Sequence, residues 1–499
     1  MADTPPVRGV PRVAVPIRNQ VELQARDLES LVADDHPVRA VWAFVCGLDL
    51  SKLYDKIEAV EGGPGRPASD PAVLFALWLF ATINAVGSAR QLDRLTREHD
   101  AYRWLRGGVP VDYHLLAEFR VAHPEVLEEQ LVSSVAALIA SGLVTLKELA
   151  QDGVRVRASA GSGSYRTEAG LIEALRVAEQ RVEALREQLA SDPAGSSRGE
   201  AAARQRAAQE RVERINAALA RLPELRARKN GGKKAASEQA TGVGKDGSEG
   251  EPGSTAPPAS TPPEPGGTPA PGSPPTGAEG AAAADVHAAP AEAPAAEGEP
   301  PTVKPRGSRL DASQVRASTT DPEADVMKLA DNGFRPAYNA QSCTDTATGI
   351  VVAVAVSDLG SDAPHFLPML DIVEAAYDRL PERHLLDGGY TSLASIEAAA
   401  ERGVTVYMPP PKPRGTTRGR YEPRAGDSKV IADWRERMGT ADAAAIYRRR
   451  CSTAEWVNAQ YRNHGLQQFN VRGKAKARAV VLWHAIANNM QVASRLASS

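Results

Sequence analysis

The sequence predicts an α/β protein: a five-stranded mixed sheet with helices, preceded by an all-helical N-terminal region and interrupted by a long insertion. Three observations carry this prediction. A strand with period-two alternation begins near Gln151, strand and helix patterns alternate between Ala340 and Met408, and helical and low-complexity patterns fill 160–318. Alternation of strands and helices is typical of α/β folds.

Composition narrows the class of protein. A length of 499 residues suggests two or three domains. The cysteines Cys46, Cys343 and Cys451 form no CxxC pair, which argues against a disulfide framework or a zinc finger and fits a reducing compartment.

The net charge of −3 does not indicate nucleic-acid binding, but eight Arg or Lys and one Glu lie from Arg448 to Arg478. This basic segment, 448–478, is the candidate track for a DNA backbone.

The N-terminal part is predicted to be helical. Residues 1–16 are expected to form a flexible arm, and they lack the apolar core of a signal peptide. Residues 17–149 follow helical patterns, and Asp70 and Pro71 mark a helix start as cap and first-turn residue. The apolar stretch that follows ends near Val86 and is too short for a bilayer, which needs about 20 residues. We therefore expect a cytoplasmic protein that makes no membrane contact.

Asp152 belongs to the first predicted strand, 151–159. Asp152, Val154 and Val156 share one face of it, because alternate residues of a strand point the same way. A carboxylate beside an apolar face requires a cation or a hydrogen-bond partner. Asp152-Gly153 also fits a tight turn, since Asp-Gly is a common hairpin signal. A strand follows directly and no partner strand precedes, which favours the strand interpretation.

The insertion is predicted to contain a helical hairpin and then a disordered linker. Within 165–228, apolar residues recur at alternating spacings of three and four in two runs, which Asp192-Pro193 separates. This spacing is typical of a coiled-coil seam, so we expect two antiparallel helices; ordinary surface helices are the alternative. Residues 229–307 consist largely of Pro, Gly, Ala, Ser, Thr and Glu and cannot bury enough apolar surface to become ordered.

Residues 310–499 return to strands and helices. A hairpin is expected first, followed by a helix, a short strand that ends at Asp387, a second helix and a last strand. The expected bounds are 340–343 and 350–357 for the hairpin, then 363–380, 383–386, 393–402 and 404–408. Together with residues 150–160, this segment is predicted to form one domain.

Two more acidic residues stand where functional sites are common. Asp387 follows the fourth predicted strand and precedes two glycines, which permit close approach of a ligand; a plain strand-to-helix turn is the alternative. Glu455 follows Ser452 by three residues, which also fits a helix-capping box. Glu455 and Arg462 share one helix face, which combines a carboxylate with a phosphate-binding cation. Carboxylates brought together by a fold form an oxygen site suited to Mg²⁺ or Mn²⁺.

Several motifs, in the same order along the chain, resemble bacterial insertion-sequence DDE transposases. One resembles the InsH-type N-terminal domain of that family: GRPASDPAVLFALWLFATINAVGSARQLDRL. Others resemble segments of its catalytic domain: DGVRVRASAGSGSYR, STTDPEADVMKLADNGFRPAYNAQ, GSDAPHFLPML and LLDGGYTS. Tyr447, Arg450, Glu455 and Arg462 resemble the Tyr-Arg-Glu-Lys signature. The resemblance covers nearly the whole chain outside 185–310.

The resemblance implies a ribonuclease-H-like catalytic domain made of 150–160 and 310–499. It also implies that 17–149 is a helical domain for DNA binding or assembly. The chain departs from the family in the segment VDYHLLAEFR and at Arg462, where Lys is usual. Arginine keeps the charge but changes the donor geometry. Neither departure touches the three carboxylates.

The resemblance further implies a metal-dependent reaction on DNA. Asp152, Asp387 and Glu455 would be catalytic and would hold two Mg²⁺ or Mn²⁺ ions. Water attack would nick the transposon end, and attack by the resulting 3′-OH would join it to target DNA. The residues expected to contact DNA are Tyr447, Arg448, Arg449, Arg450, Arg462, Arg472, Lys474 and Lys476.

The expected partners are the terminal inverted repeats of the transposon and a target DNA. Because two ends must be held together, we expect a homodimer in a synaptic complex, located in the bacterial cytoplasm and associated with the nucleoid. Two alternatives stay open. One is a transposase-derived DNA-binding protein that has lost catalysis, and the other is a metal-dependent nuclease that cuts without joining.

Overall fold

A computed structural model gives the structure of the chain and describes residues 25–60, 62–63, 66–191, 198–241, 314–413 and 419–497. The predicted arm, 1–16, and most of the predicted linker, 229–307, lie outside the described residues. The chain divides into one unit of 1–225 and 315–499 and a second unit of 226–314. Within the described part, no helix combines the length and the apolarity that a membrane span requires.

The N-terminal region is helical, as predicted. Its described α-helices are α1 Pro37–Cys46, α2 Ser51–Tyr54, α3 Pro71–Ile83, α4 Ala89–Glu98, α5 Asp100–Arg106, α6 Tyr113–Ala122 and α7 Pro124–Ala140. The predicted start of α3 is confirmed, since Asp70 Oδ1 accepts a hydrogen bond from the Ala72 N–H at 2.8 Å and Pro71 occupies the first turn. Nearly every residue of α3 is buried, which explains its almost uninterrupted apolar sequence.

The described strands are β1 Glu148–Arg157, β2 Tyr165–Arg166, β3 Ala317–Ser318, β4 Asp325–Lys328, β5 Phe334–Asp345, β6 Val351–Ser357, β7 Arg383–Leu385 and β8 Thr405–Tyr407. The predicted five-stranded mixed sheet is confirmed, in the order β6-β5-β1-β7-β8. β5 runs antiparallel to β1 and β6, whereas β7 and β8 run parallel to β1. β4 adds a short sixth strand beside the start of β5, and β2 pairs with β3 apart from the sheet.

The register between β1 and β7 places two acidic residues side by side. β1 begins at Glu148, before the predicted start, so Asp152 lies inside the strand rather than near its edge. Ala150 pairs with Leu385 in the parallel ladder. Asp152 and Asp387 each stand two residues further along. Because neighbouring strands lie about 4.8 Å apart, this register brings the two residues together beyond the end of β7.

The C-terminal helix joins the N-terminal helices to the sheet. The remaining α-helices are α8 Glu168–Ser191, α9 Arg198–Thr241, α10 Phe366–Tyr377, α11 Leu393–Glu401, α12 Lys429–Met438, α13 Ala441–Arg450, α14 Trp456–Asn463 and α15 Lys474–Ala497. Trp483 of α15 packs against Phe75 of α3 with ring centroids 4.6 Å apart, and its indole N–H donates to the Arg120 carbonyl at 3.0 Å. The N-terminal helices, α15 and β6 therefore share one hydrophobic core.

The insertion contains the two predicted helices, α8 and α9. Leu171 of α8 and Ile215 and Leu222 of α9 belong to one buried apolar cluster. An ion pair holds α9 to the chain beyond β6, since Arg221 Nη2 lies 2.8 Å from Asp358 Oδ2 and both side chains are buried. α9 continues past the expected boundary at 228 to Thr241, and residues 242–313 lie outside the described part.

Candidate active site

The three carboxylates singled out from the sequence converge on one guanidinium, that of Arg450. Its Nη2 lies 2.9 Å from Asp152 Oδ1 and 3.9 Å from Asp387 Oδ2, and its Nη1 lies 2.9 Å from Glu455 Oε1. The side chain of Arg450 is only 6% exposed. Asp152 and Glu455, more than 300 positions apart in the chain, thus meet at one buried cation. A hydrogen bond from Asn458 to Asp152 joins the same two parts of the chain.

Asp152 is held from several sides. Its Oδ1 accepts a hydrogen bond from the Gly153 N–H at 3.0 Å, and its Oδ2 accepts one from Asn458 Nδ2 at 2.9 Å. Burial raises the pKa of Asp152 above its ordinary value; Arg450 opposes this rise and Asp387 adds to it. The alternative of an Asp-Gly turn is excluded, because both residues lie within β1.

Asp387 combines a turn role with a place in the site. Its Oδ1 accepts a hydrogen bond from the Gly389 N–H at 2.7 Å and so caps the short 3₁₀ turn Gly388–Tyr390. Its Oδ2 faces Arg450. The side chain is 38% exposed, so this side of the site is open to a ligand. Asp387 therefore makes the turn contact that the alternative predicted and also faces the guanidinium that Asp152 and Glu455 contact.

Glu455 reaches Arg450 through a π-helical turn, Cys451–Glu455, between α13 and α14. In a π turn, backbone hydrogen bonds join residues five positions apart rather than four, which brings residues with this separation close to each other. Arg450 and Glu455 have this separation. The capping-box alternative is wrong, because no helix starts at Ser452; its hydroxyl donates to the Arg449 carbonyl instead. π turns of this kind are frequent at functional sites.

Arg450 neutralises charge at the centre of the site. Burial by itself lowers the pKa of a guanidinium, but Asp152 and the other anionic neighbours outweigh this effect and the pKa of Arg450 is raised. Among the described residues, no group of three or more His, Cys, Asp or Glu side chains lies close enough together to hold a metal ion. Each of the three acids has an oxygen within 4 Å of the Arg450 guanidinium.

Two of the residues expected to contact DNA, both beside Arg450, make contacts within the protein instead. Tyr447 is half-buried against a second hydrophobic cluster, which includes Phe366, Leu385 and Trp434. Burial raises the pKa of its hydroxyl. Arg449 Nε lies 3.0 Å from Oε1 of the buried Glu148. Arg448 is exposed and reaches only its own helix, at the Ala444 carbonyl. The arginine run therefore presents one residue to solvent, one to Glu148 and one to the three acids.

The other expected DNA contacts lie in two different places. Arg462 is exposed in the last turn of α14 and lines a crevice beside Gly153, on the Asp152 strand. Lys474 Nζ lies 3.1 Å from Asp358 Oδ1, in the ion-pair network that holds α9. Arg472 and Lys476 are exposed and line a second crevice with glutamates of α9. None of the contacts described for these last three residues reaches Asp152, Asp387 or Glu455.

Asp362 is a fourth carboxylate that sequence reasoning passed over. It lies 12% exposed after β6, where its Oδ1 accepts hydrogen bonds from Asn339 Nδ2 at 2.7 Å and Gln341 Nε2 at 3.0 Å. Its Oδ2 lies 3.0 Å from Arg155 Nη2. These partners hold the Asp362 carboxylate in one orientation, on the face of the sheet opposite to the side chain of Asp152.

Gly153 makes room for Asp362 and its partner Gln341, since a Cβ at Gly153 would clash with Gln341 Nε2 and lie 2.7 Å from Asp362 Oδ1. A Cβ at Gly389 would lie 2.9 Å from Asp387 Oδ1 and would make only an ordinary contact, at 3.4 Å, with Asp362 Oδ2. These glycines follow Asp152 by one position and Asp387 by two. In the sequence, a glycine one or two positions after each acid was the signal that could have indicated this neighbour, since glycine marks close approach of another group.

Sheet order and site together define a class of protein. The sheet is mixed, in the order β6-β5-β1-β7-β8, with one acid on β1, a second just beyond the end of β7 and a third in a later helical segment. This arrangement is a ribonuclease-H-like fold with a three-carboxylate site. The long insertion after β1 leaves this order intact, because β1 still pairs with β5 and β7.

Comparison with known families identifies the chain more closely. Residues 304–490 match the family described as Transposase DDE domain, and residues 26–122 match the Transposase domain (DUF772). Both matches are to transposase domains, and their order along the chain is consistent with a DDE transposase of insertion-sequence type. The first match includes Asp387 and Glu455 but begins after Asp152. No curated protein and no solved structure showed significant similarity to the chain.

Proposed function

We propose that the protein is a DNA transposase that cleaves transposon ends and joins them to target DNA. The observation that supports this best is the convergence of Asp152, Asp387 and Glu455 on one buried guanidinium. The matches to two transposase domains support DNA as the substrate. Phosphodiester cutting and joining requires carboxylates and cations at one place, and the site supplies both.

In this proposal, the three acids hold two Mg²⁺ or Mn²⁺ ions. Transposases with this domain generally use divalent metal ions, and carboxylate oxygens suit both metals. Because Arg450 lies between the acids, their joint use as metal ligands requires its contacts with Asp152 and Glu455 to be exchanged. When bound, such ions activate water or a DNA 3′-OH and stabilise the leaving oxygen.

The chain's own residues orient the reacting groups. Asn458 and the Gly153 N–H hold both oxygens of Asp152, so its carboxylate keeps one direction. Once freed from the acids, Arg450 binds a phosphate near the cleavage point, because a guanidinium donates two parallel hydrogen bonds to phosphate oxygens. Tyr447 lies in the same electrostatic environment, one helical turn before Arg450, and its hydroxyl is a further phosphate donor.

The proposal extends to assembly and location. Two transposon ends are held by a homodimer in a synaptic complex, in the bacterial cytoplasm and associated with the nucleoid. The N-terminal region, 17–149, serves DNA binding or assembly. The α8–α9 hairpin is a further assembly element, since the buried Arg221–Asp358 pair fixes one of its helices to the rest of the unit. The proposed DNA contacts include Arg448, Arg449, Arg472, Lys474 and Lys476.

A cleavage-and-joining assay tests the function. The substrate is a labelled duplex that carries the inverted repeat flanking the gene, together with a supercoiled target. We expect Asp152→Asn, Asp387→Asn and Glu455→Gln each to abolish cleavage while duplex binding persists. Asp371→Asn is the matched control, because Asp371 is an exposed acid on α10 that pairs with Arg402. Strand joining at the wild-type rate by any of the three variants would overturn the assignment.

The same assay separates the two alternatives. Nicked products without joined products indicate a nuclease that does not transfer strands. Binding without either product in the wild-type protein indicates a transposase-derived DNA-binding protein. The three acids and their shared cation favour the catalytic interpretation over the DNA-binding alternative, because phosphodiester chemistry uses clustered carboxylates, whereas negative charge opposes binding to the DNA backbone.

A further inference from the structure

A polar crevice with a volume of about 410 Å³ opens beside Gly153, the residue that follows Asp152. It lies between the sheet, the turn that joins β4 to β5, and the end of α14. Three cations line it: Arg155, Lys328 and Arg462. The crevice therefore adjoins the three-carboxylate site but carries the opposite charge.

Arg155 is fixed on the wall of this crevice. Its Nη2 donates to the Gly360 carbonyl at 2.7 Å and lies 3.0 Å from Asp362 Oδ2, and its Nε donates to the same carbonyl at 3.2 Å. The side chain is 32% exposed. Because its position is already set, little side-chain entropy is lost when it meets a ligand.

Lys328 and Arg462 give the crevice its excess positive charge. Both are exposed, Lys328 at the end of β4 and Arg462 in the last turn of α14. Among the described residues, the ion pair of Arg155 with Asp362 is the one that involves these three cations. The nearest acid of the turn, Asp331, is paired with Arg335 at 2.8 Å. The three cations that line the crevice thus have one carboxylate, that of Asp362, as an ion-pair partner.

The rim of the crevice is a defined turn rather than a loose loop. The Leu329 N–H donates to the Gly333 carbonyl at 2.8 Å, and the Asn332 N–H donates to the Leu329 carbonyl at 3.0 Å. Asn332 has a φ of 61°, in the left-handed region that asparagine tolerates better than most residues. These bonds fix the backbone of the turn that follows Lys328 on the rim of the crevice.

We propose that this crevice binds a backbone phosphate of the DNA strand whose neighbouring phosphate lies at the three carboxylates. The idea rests on the proposed function and adds Arg155 and Lys328 to the DNA contacts. Asn458, which donates a hydrogen bond to Asp152, and Arg462, which lines the crevice, lie four residues apart on α14 and therefore share one helix face at a separation of about 6 Å. A strand held at Asp152 therefore extends along this face to the crevice, where Arg462 and Lys328 bind its next phosphate.

Equilibrium binding in the absence of metal tests the crevice. The probe is a fluorescein-labelled duplex of about 30 base pairs and arbitrary sequence, followed by anisotropy in EDTA from about 50 to 200 mM NaCl. The variants are Lys328→Gln, Arg462→Gln and the double variant. Arg379→Gln is the matched control, because Arg379 is exposed before β7, at the opposite end of that strand from Asp387.

One lost phosphate contact sets the expected size of the effect. The double variant should lower the log–log salt slope by about 0.9 and weaken binding about tenfold at 0.1 M salt. Each single variant should show part of this change, Arg462→Lys should keep most of the slope, and the control should match the wild type. Thermal melting checks folding, and the single variants carry the comparison if the double variant melts early.

The outcomes test the crevice proposal separately from the proposed transposase function. A steep salt response in the wild type together with an unchanged response in the Lys328 and Arg462 variants overturns the crevice proposal and leaves the transposase assignment standing. Absence of duplex binding in the wild type contradicts the proposed function itself. An equal loss in the Arg379 control also overturns the crevice, since the effect then reflects overall charge.

Discussion

Basic side chains of the segment 448–478 fall into two groups. In the first, carboxylates of the protein already hold the charge: Arg449 with Glu148, Arg450 with the three acids, and Lys474 with Asp358. In the second, the side chain extends into solvent, as for Arg448 and Arg462. Neighbours in sequence, such as Arg448 and Arg449, belong to different groups.

This difference shows that a count of charges overstates the cations that are available to DNA. A held cation organises the protein, because removing it leaves a carboxylate without its partner. An exposed cation costs little to remove but contributes to the release of counterions from DNA. Mutating the two groups should therefore affect different measurements, stability for the first and salt-dependent binding for the second.

The largest effect is expected at Arg450. Arg450→Ala leaves the buried Asp152 without a cation and should destabilise the protein by about 3 kcal/mol, which lowers the melting temperature by several degrees. Most of this loss comes from Asp152, which is 16% exposed, because Asp387 and Glu455 are 38% and 52% exposed and better solvated. Differential scanning calorimetry in EDTA measures it. Added Mg²⁺ should recover part of the loss in the variant, and an unchanged melting temperature would contradict the role of Arg450 as the shared cation.

Burial neutralises a third kind of basic side chain, as His384 shows. Burial lowers the pKa of His384 from 6.5 to about 3, so the folded state keeps it neutral while the unfolded state protonates it below 6.5. Stability therefore falls as pH drops below 6.5, by about 2 kcal/mol at pH 5 from this residue. Denaturant unfolding from pH 8 to pH 5 should show a shallower decline for His384→Leu. The exposed His114, changed to Gln, is the control and should keep the wild-type decline.

The adjacent pair Arg448 and Arg449 gives a smaller but matched contrast. Arg449→Gln should cost about 1 kcal/mol of stability, since Glu148 is 9% exposed and loses one of its two arginine partners. Arg448→Gln should leave stability within about 0.5 kcal/mol and lower the salt slope of duplex binding. Urea titration and anisotropy measure the two effects. If both variants behave alike in both assays, the division into held and exposed cations is wrong.

The smallest effect is expected at Asp362, and its sign is opposite. Asp362→Asn removes the carboxylate that faces Arg155, while the hydrogen bonds from Arg155 to the Gly360 carbonyl persist. Duplex binding should tighten about two- to threefold at low salt, because the crevice gains net positive charge. Titration of the labelled duplex measures the change. Weaker binding by a variant that melts at the wild-type temperature would contradict the charge balance assigned to the crevice.

Much of the fold follows from sequence because local patterns and burial agree. The alternation at Val154 and Val156 predicted β1, and both residues are buried. Asp70 and Pro71 predicted the start of α3 through cap chemistry that acts within one turn. The N-terminal bound of β1 was missed, since residues 148–151 are buried and lack clear alternation.

The site was predictable only in part, for a physical reason. Asp387 and Asp152 were found from their strand contexts, but their side-by-side placement depends on the register of β1 with β7, which no local pattern records. Arg450 was expected to contact DNA, and its burial among the acids depends on a π turn that conventional helical spacing does not suggest. Asp362 was missed because its partners come from β1 and β5, far away in sequence.

The pairing of Ala150 with Leu385 has a consequence for how this chain tolerates change. Loss or gain of one residue between Glu148 and Asp152 would turn Asp152 to the opposite side of the sheet while the composition of the chain stayed almost the same. A few positions later, the same chain carries its long insertion between β1 and β5. The chain thus tolerates a long insertion after Asp152, whereas the segment from Glu148 to Asp152 must keep its number of residues.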